Sequence, residues 1–189
     1  MTRTRSPIRA IAYGAGAGVV ASLAMAMYAM LAAWHNGTGF FTPLYHIASL
    51  FASQNSMMAS MKSAMAGSDF HFVVGTAILG AVIHMMTGAM YGALFGLVVS
   101  RFDLKPGMLV GAGAAYGVLV FVMSAFVGLP IAAAVFGSGD QITHMAKMAG
   151  WSTFFVEHVI YGLVLGALIA ASGRRITADA TQPVASNVG

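Results

Sequence analysis

The sequence predicts an all-α membrane protein of four transmembrane helices. Three observations carry this. Hydrophobic residues make up 59% of the chain, and charged residues only 7%. A water-soluble domain carries about 25% charged residues, so the polar groups here are too few to cover a soluble globule. Four apolar runs, at about residues 8–34, 72–100, 108–136 and 152–172, each approach or exceed the roughly 20 helical residues that cross a bilayer core. The nine lysines and arginines lie mostly at the edges of those runs, where membrane topology places them. A net charge of +4 therefore needs no nucleic-acid partner. With no cysteine in the chain, disulfides, thiolate metal sites and cysteine nucleophiles are excluded.

The first run follows a basic segment (Arg3, Arg5, Arg9), as a signal peptide would. It continues to Trp34, well past the 7–15 residue core of a cleavable signal, so it reads as a first span. The segment from His35 to His71 contains "TPLYHIASLFASQNSMMASMKSAMAG". Ile47, Leu50, Phe51, Gln54, Met58, Met61 and Met65 recur at three- and four-residue steps. This predicts an amphipathic helix over about 43–66, lying along the membrane interface, with Pro43 at its start. "RFDLKPG" at Arg101–Gly107 is a short turn between the second and third spans, broken by Pro106 and Gly107. Residues 176–189 are polar and are expected to form a disordered tail.

Lysine and arginine also set the orientation. Arg3, Arg5, Arg9, Arg101, Lys105, Arg174 and Arg175 fall on one side of a four-span layout, and Lys62 and Lys147 on the other. The positive-inside rule then puts both termini in the cytoplasm of a bacterial-type inner membrane.

Small residues recur every four positions in all four spans. The rows are Gly14, Gly18, Ser22; Gly88, Gly92, Gly96; Gly113, Gly117; and Gly162, Gly166. Lipid supplies no hydrophobic drive between helices, so close backbone packing through such rows is what holds a bundle together. The second and fourth spans also match each other. His84, Gly88, Gly92, Gly96 and Arg101 correspond to His158, Gly162, Gly166, Ala170 and Arg175 at a constant offset of 74. The layout is thus two helical hairpins related by an approximate repeat.

The repeat singles out two histidines. His84 and His158 each stand 17 residues before an arginine, which is roughly 25 Å along a helix at 1.5 Å per residue. Both share a stripe with glycines and should turn into the bundle. Ionisable groups inside a membrane are expensive to keep and point to function. Interhelical hydrogen bonding accounts for them as simply as ligation does. As ligands they suit haem b or copper. Glu157, beside His158, is the one acid well inside a predicted span. His35, His46, His71 and His144 share the outer zone with Met57, Met58, Met61 and Met65. Imidazole and thioether together suit copper, although methionine at helical spacing more often fills apolar space. Tyr13, Tyr91, Tyr116 and Tyr161, each followed by glycine, read as interhelical packing residues whose hydroxyls bond neighbouring backbone.

No nucleotide loop, nucleophile elbow or paired carboxylate is present. "YGAGAGVV" at Tyr13 has the glycines of a dinucleotide loop but follows no strand. The function expected from these features is a non-enzymatic membrane subunit. It would pack against lipid and against other membrane subunits or copies of itself, with a histidine site for copper or haem. The alternative is a small proton- or metal-coupled transporter using His84, Glu157 and His158.

Overall fold

The computed structural model describes residues 7–179, with side chains through residue 172. Arg3, Arg5, the side chains of Arg174 and Arg175, and residues 180–189 of the expected tail lie outside it. In chain order the helices are α1 (Pro7–His35), α2 (Thr42–Ala48), α3 (Asn55–Met65), α4 (Val74–Val99), α5 (Pro106–Met123), α6 (Leu129–Phe136), α7 (Asp140–Thr143), α8 (Met145–Ala149) and α9 (Trp151–Asp179). No strand occurs among the described residues. Four stretches are long and apolar enough to span a membrane: Pro7–His35, Val74–Val99, Pro106–Phe136 and Trp151–Ser172. The chain is a multi-pass membrane protein. The last helix runs beyond residue 176, where a tail was expected to begin.

Helix boundaries follow from local chemistry. Pro106 stands at the start of α5, and the preceding Lys105 is extended (φ −66°, ψ 154°), as the proline ring requires of its neighbour. Gly137 closes α6 in the left-handed region (φ 64°). The Ser138 N–H returns to the Ala133 carbonyl at 3.1 Å, completing a Schellman cap.

The third span is not a uniform helix. Ser124–Gly128 forms a π turn, with the Leu129 N–H bonded to the Ser124 carbonyl five residues back. Its cause is Pro130, which brings no N–H and whose ring would strike the Phe126 carbonyl in a regular helix. Widening the turn by one residue relieves that clash.

The glycine rows define the packing. α1 lies against α4, and α5 against α9. A Cβ added to Gly14 would collide with the Gly92 carbonyl, and one on Gly18 with the Gly88 carbonyl. Gly96 abuts Ala10 and Gly14. Across the second pair, Gly113 meets Gly162 and Gly166, and Gly117 meets the His158 carbonyl and Gly162. Each of these contacts is backbone on backbone. Between the pairs, Ala21, Met25, Phe95, Val99, Leu109, Tyr161, Leu165 and Ala170 form an apolar core.

Arg9, Arg101 and Lys105 mark one end of the bundle, here the basic end. Residues 36–73 and 137–150 cover the other, the capped end. The cap differs from the single helix expected over 43–66. Ser49–Gln54 breaks it, and α2 and α3 are separate. Crossing that break resets the helical phase. The buried face of α3 is therefore Met57, Ser60 and Ala64, while Met58 and Met65 of the expected stripe are 54% and 79% exposed. α2 packs down onto α4, its Leu44 carbonyl against Gly80, with Tyr45 and Ala48 wholly buried.

Candidate functional site

A cavity of about 600 Å³ lies in the capped half of the bundle, roofed by α2 and the 140–150 segment. All four spans contribute to its wall. Among the residues facing it are Met25, His84, Tyr91, Ser124, Glu157 and His158. The structure thus gathers the two histidines and the acid singled out in the sequence around one space.

The two histidines are held differently. His84 Nε2 donates to the Ser22 carbonyl of α1 at 2.9 Å. His158 Nδ1 donates to the Phe154 carbonyl one turn back on its own helix, at 2.6 Å. The neighbours explain this. The small row of α1 runs Gly14, Gly18, Ser22, and the slim Ser22 side chain lets an imidazole reach the backbone. At the same step along α5 the row runs Gly113, Gly117, Phe121. The Phe121 ring instead packs edge-on against His158, with centroids 6.0 Å apart.

Both bonds have a chemical consequence. A backbone carbonyl only accepts, so the bonded ring nitrogen must carry the hydrogen. In the neutral ring the other nitrogen is then a bare lone pair. His84 keeps Nδ1, and His158 keeps Nε2. This is the arrangement that metal-ligating histidines use, one nitrogen anchored on a carbonyl and the other free.

Glu157 is only 5% exposed and lines the cavity. Its Oε1 stands 3.8 Å from His158 Nδ1, beyond hydrogen-bond range, and that nitrogen is already committed to Phe154. Among the described residues no side chain or carbonyl hydrogen-bonds its carboxyl, which opens on the cavity. A buried acid held there without a hydrogen bond is costly to keep, so its place on the cavity wall points to a ligand.

Two tyrosines tie the helix pairs together below the cavity. Tyr161 donates to the Gly88 carbonyl at 2.7 Å, and Tyr116 to the Tyr91 carbonyl at 2.8 Å. Tyr13 departs from the packing expected of it and is 54% exposed. Tyr91 presents its side chain to the cavity.

His46, grouped by the sequence with the outer copper candidates, has a different role in the structure. Expected to lie at an interface, it is buried, and its Nε2 donates to the Gln141 carbonyl at 2.7 Å. That bond latches α2 to α7 across the roof, and the His46 ring also faces the cavity. Burial pushes its pKa below the ordinary histidine value, and the bond to Gln141 offsets part of the shift. No sequence signal pairs it with Gln141, which lies 95 residues away.

The remaining outer residues do not converge. Met57 and Met61 face the cavity, whereas Met58 and Met65 point outward. His35, His71 and His144 are not on the cavity wall, and His144 Nδ1 bonds the Asp140 carbonyl in its own segment. Among the described residues, no three histidine, cysteine, aspartate or glutamate side chains come close enough to hold a metal ion. Comparison with family models, with curated proteins and with solved structures yields no match for this chain.

Proposed function

We propose that the chain is a non-enzymatic membrane subunit that binds a small ligand in its capped half, on His84, His158 and Glu157. The observation that carries this is the pair of anchored imidazoles. They come from different close-packed helix pairs, each has one nitrogen fixed on a carbonyl, and both face one cavity. Haem and copper are the metal-bearing occupants suited to those donors. The volume favours haem or another organic molecule over a bare copper ion, because about 600 Å³ is the size of an organic ligand site. A copper site would also need its donors drawn together.

In this reading the basic end is cytoplasmic and the membrane is of the bacterial inner type. The helix pairs are two repeated hairpins, and α2 and α3 lie at the outer interface. The apolar outer faces meet lipid and neighbouring subunits or copies. Purification in mild detergent tests this, with a visible spectrum, metal quantification and native gels. A bound ligand lost on His84→Ala with His158→Ala supports the site. A fold that survives both substitutions with nothing bound before or after overturns it.

One observation favours a transporter as the second reading. The cavity is roofed at one end and shut at the other by the core around Phe95 and Leu165, the shape of one state of an alternating-access site. Solute movement by the purified protein in liposomes would select this reading over the first.

A further inference from the structure

The cavity is not closed all round, and where it opens bears on what it holds. Wall residues that are also exposed on the protein's surface mark its mouths. Asn36, Lys147 and Met148 mark one beside the roof. Thr87, Met90 and Gly128 mark a second. Met90 is 53% exposed although it lines the cavity. Thr87 and Met90 stand 13 and 16 residues into the 26-residue α4, so this second mouth lies near the middle of the span. α4 and α5 touch at few points, and the π turn forms the opposite lip. At that depth the surroundings of the protein are acyl chains.

Among the polar groups on the wall, the imidazoles and Glu157 offer acceptors, the hydroxyls of Tyr91, Ser124 and Thr153 can give or accept a hydrogen, and Lys147 stands at the mouth beside the roof. In the neutral rings, Nδ1 of His84 and Nε2 of His158 are acceptors, as is Nδ1 of His46, whose Nε2 is spent on Gln141. The carbonyl oxygen of the Glu157 carboxyl accepts in either protonation state. The rest of the wall is largely methionine, alanine, leucine and isoleucine.

On the reading that this chamber binds a ligand, we propose that the ligand is a lipophilic molecule drawn from the bilayer through the opening between α4 and the π turn. Its polar end carries O–H or N–H donors that meet His84, His158 and Glu157. A carboxylate head group brings no donor for the imidazole lone pairs and would stand beside the Glu157 carboxyl, so it is disfavoured even though the wall hydroxyls could donate to it.

Gly128 offers a way to close the opening without touching the donors. A Cβ there makes only ordinary van der Waals contacts, with the Met123 carbonyl at 3.4 Å and the Tyr91 hydroxyl at 4.0 Å. Gly128→Leu therefore fills the gap facing Tyr91. The test uses the full chain in nanodiscs of neutral lipid, with dodecylamine, dodecanol and dodecanoate as probes read by native mass spectrometry and by the rate of complex formation. Binding of the amine and alcohol at least tenfold above dodecanoate is expected, with association slowed at least tenfold in Gly128→Leu. Glu157→Gln with His158→Ala should abolish the preference among heads while leaving the folded protein intact. Equal binding of all three probes, or dodecanoate preferred, overturns the ligand class. Preferred binding with an unchanged rate in Gly128→Leu overturns the lateral route and leaves the chamber standing. A Soret band or stoichiometric copper in the protein as purified, removed by His158→Ala, assigns the donors to a metal-bearing group and overturns the proposal. No binding of any probe to a protein that is also colourless and metal-free overturns the chamber itself.

Discussion

The two halves of the bundle are built from the same four helices and obey different rules. In the basic half, glycine faces glycine across both helix pairs, and backbone touches backbone. In the capped half the glycine rows give way to Ser22 and Met25 on α1, His84 on α4, Phe121 on α5 and His158 on α9, the pairs enclose a cavity, and a buried acid, Glu157, faces it. One half is selected for contact and the other for space. The cavity begins along α1 at Ser22 and along α4 at Tyr91, so on α4 it overlaps Gly88, the row's glycine nearest the cap.

Substitutions should separate the halves cleanly. The largest effect belongs to the basic half. Gly14→Val or Gly162→Val drives a side chain into a backbone carbonyl of the facing helix, which cannot retreat as a flexible side chain would. A loss of about 3 kcal/mol or more is expected, read as a lowered unfolding midpoint in detergent. Gly16 and Gly111 are the controls. Each is close in sequence to the packed glycines but has nothing within 4 Å of an added Cβ. Alanine at these positions should be neutral, or stabilising by up to about 1 kcal/mol.

Next in size is the seam between the pairs. Tyr161→Phe removes the bond to the Gly88 carbonyl and should cost about 1 kcal/mol, measured by the same unfolding curves. The capped half should respond with the opposite sign. Glu157→Leu removes a buried, cavity-facing carboxyl that stands 3.8 Å from His158 Nδ1, beyond hydrogen-bond range, so stability should hold or rise by about 1 kcal/mol while ligand binding is lost. A strong destabilisation would show that the acid has a structural partner.

The smallest effect is a pH dependence at the roof. His46 has its pKa lowered in the folded chain by burial. Below its ordinary value near 6.5 the unfolded chain takes up a proton that the folded chain resists, so stability falls as pH drops through 6.5 toward the folded pKa. It is fully present above that window. The protection of residues 42–50 and 139–143 against hydrogen exchange, corrected for the intrinsic pH dependence of the amide rate, should therefore fall between pH 7 and 5. In His46→Gln the corrected protection should not change with pH.

Much of the basic half was legible in the sequence, because four-residue glycine spacing on an apolar run has one physical use and the rows name their own partners. The shared stripe of His84 and His158 was legible for the same reason. Their azimuth was not, since equal height on two helices does not say what lies between them. The cap was the least legible part. Periodicity ran across Ser49–Gln54 as though the helix were continuous, and nothing in local spacing reveals a break that resets the phase. The π turn could have been read from Pro130 within an unbroken apolar run, but not the opening it borders. His46 and Gln141 meet only because two distant segments fold over one cavity.

The contrast between a sealed half and a hollow one is open to direct measurement, because the chain contains no cysteine. Single cysteines at Ala26 and Ser124 on the cavity wall, and at Ala21 and Ala170 in the sealed core, can be challenged with a small methanethiosulfonate reagent in nanodiscs. The account predicts rapid labelling at 26 and 124 and none at 21 and 170 until the protein is unfolded. Equal labelling at all four, or protection of Ser124→Cys and Ala26→Cys to the level of the core, would contradict it.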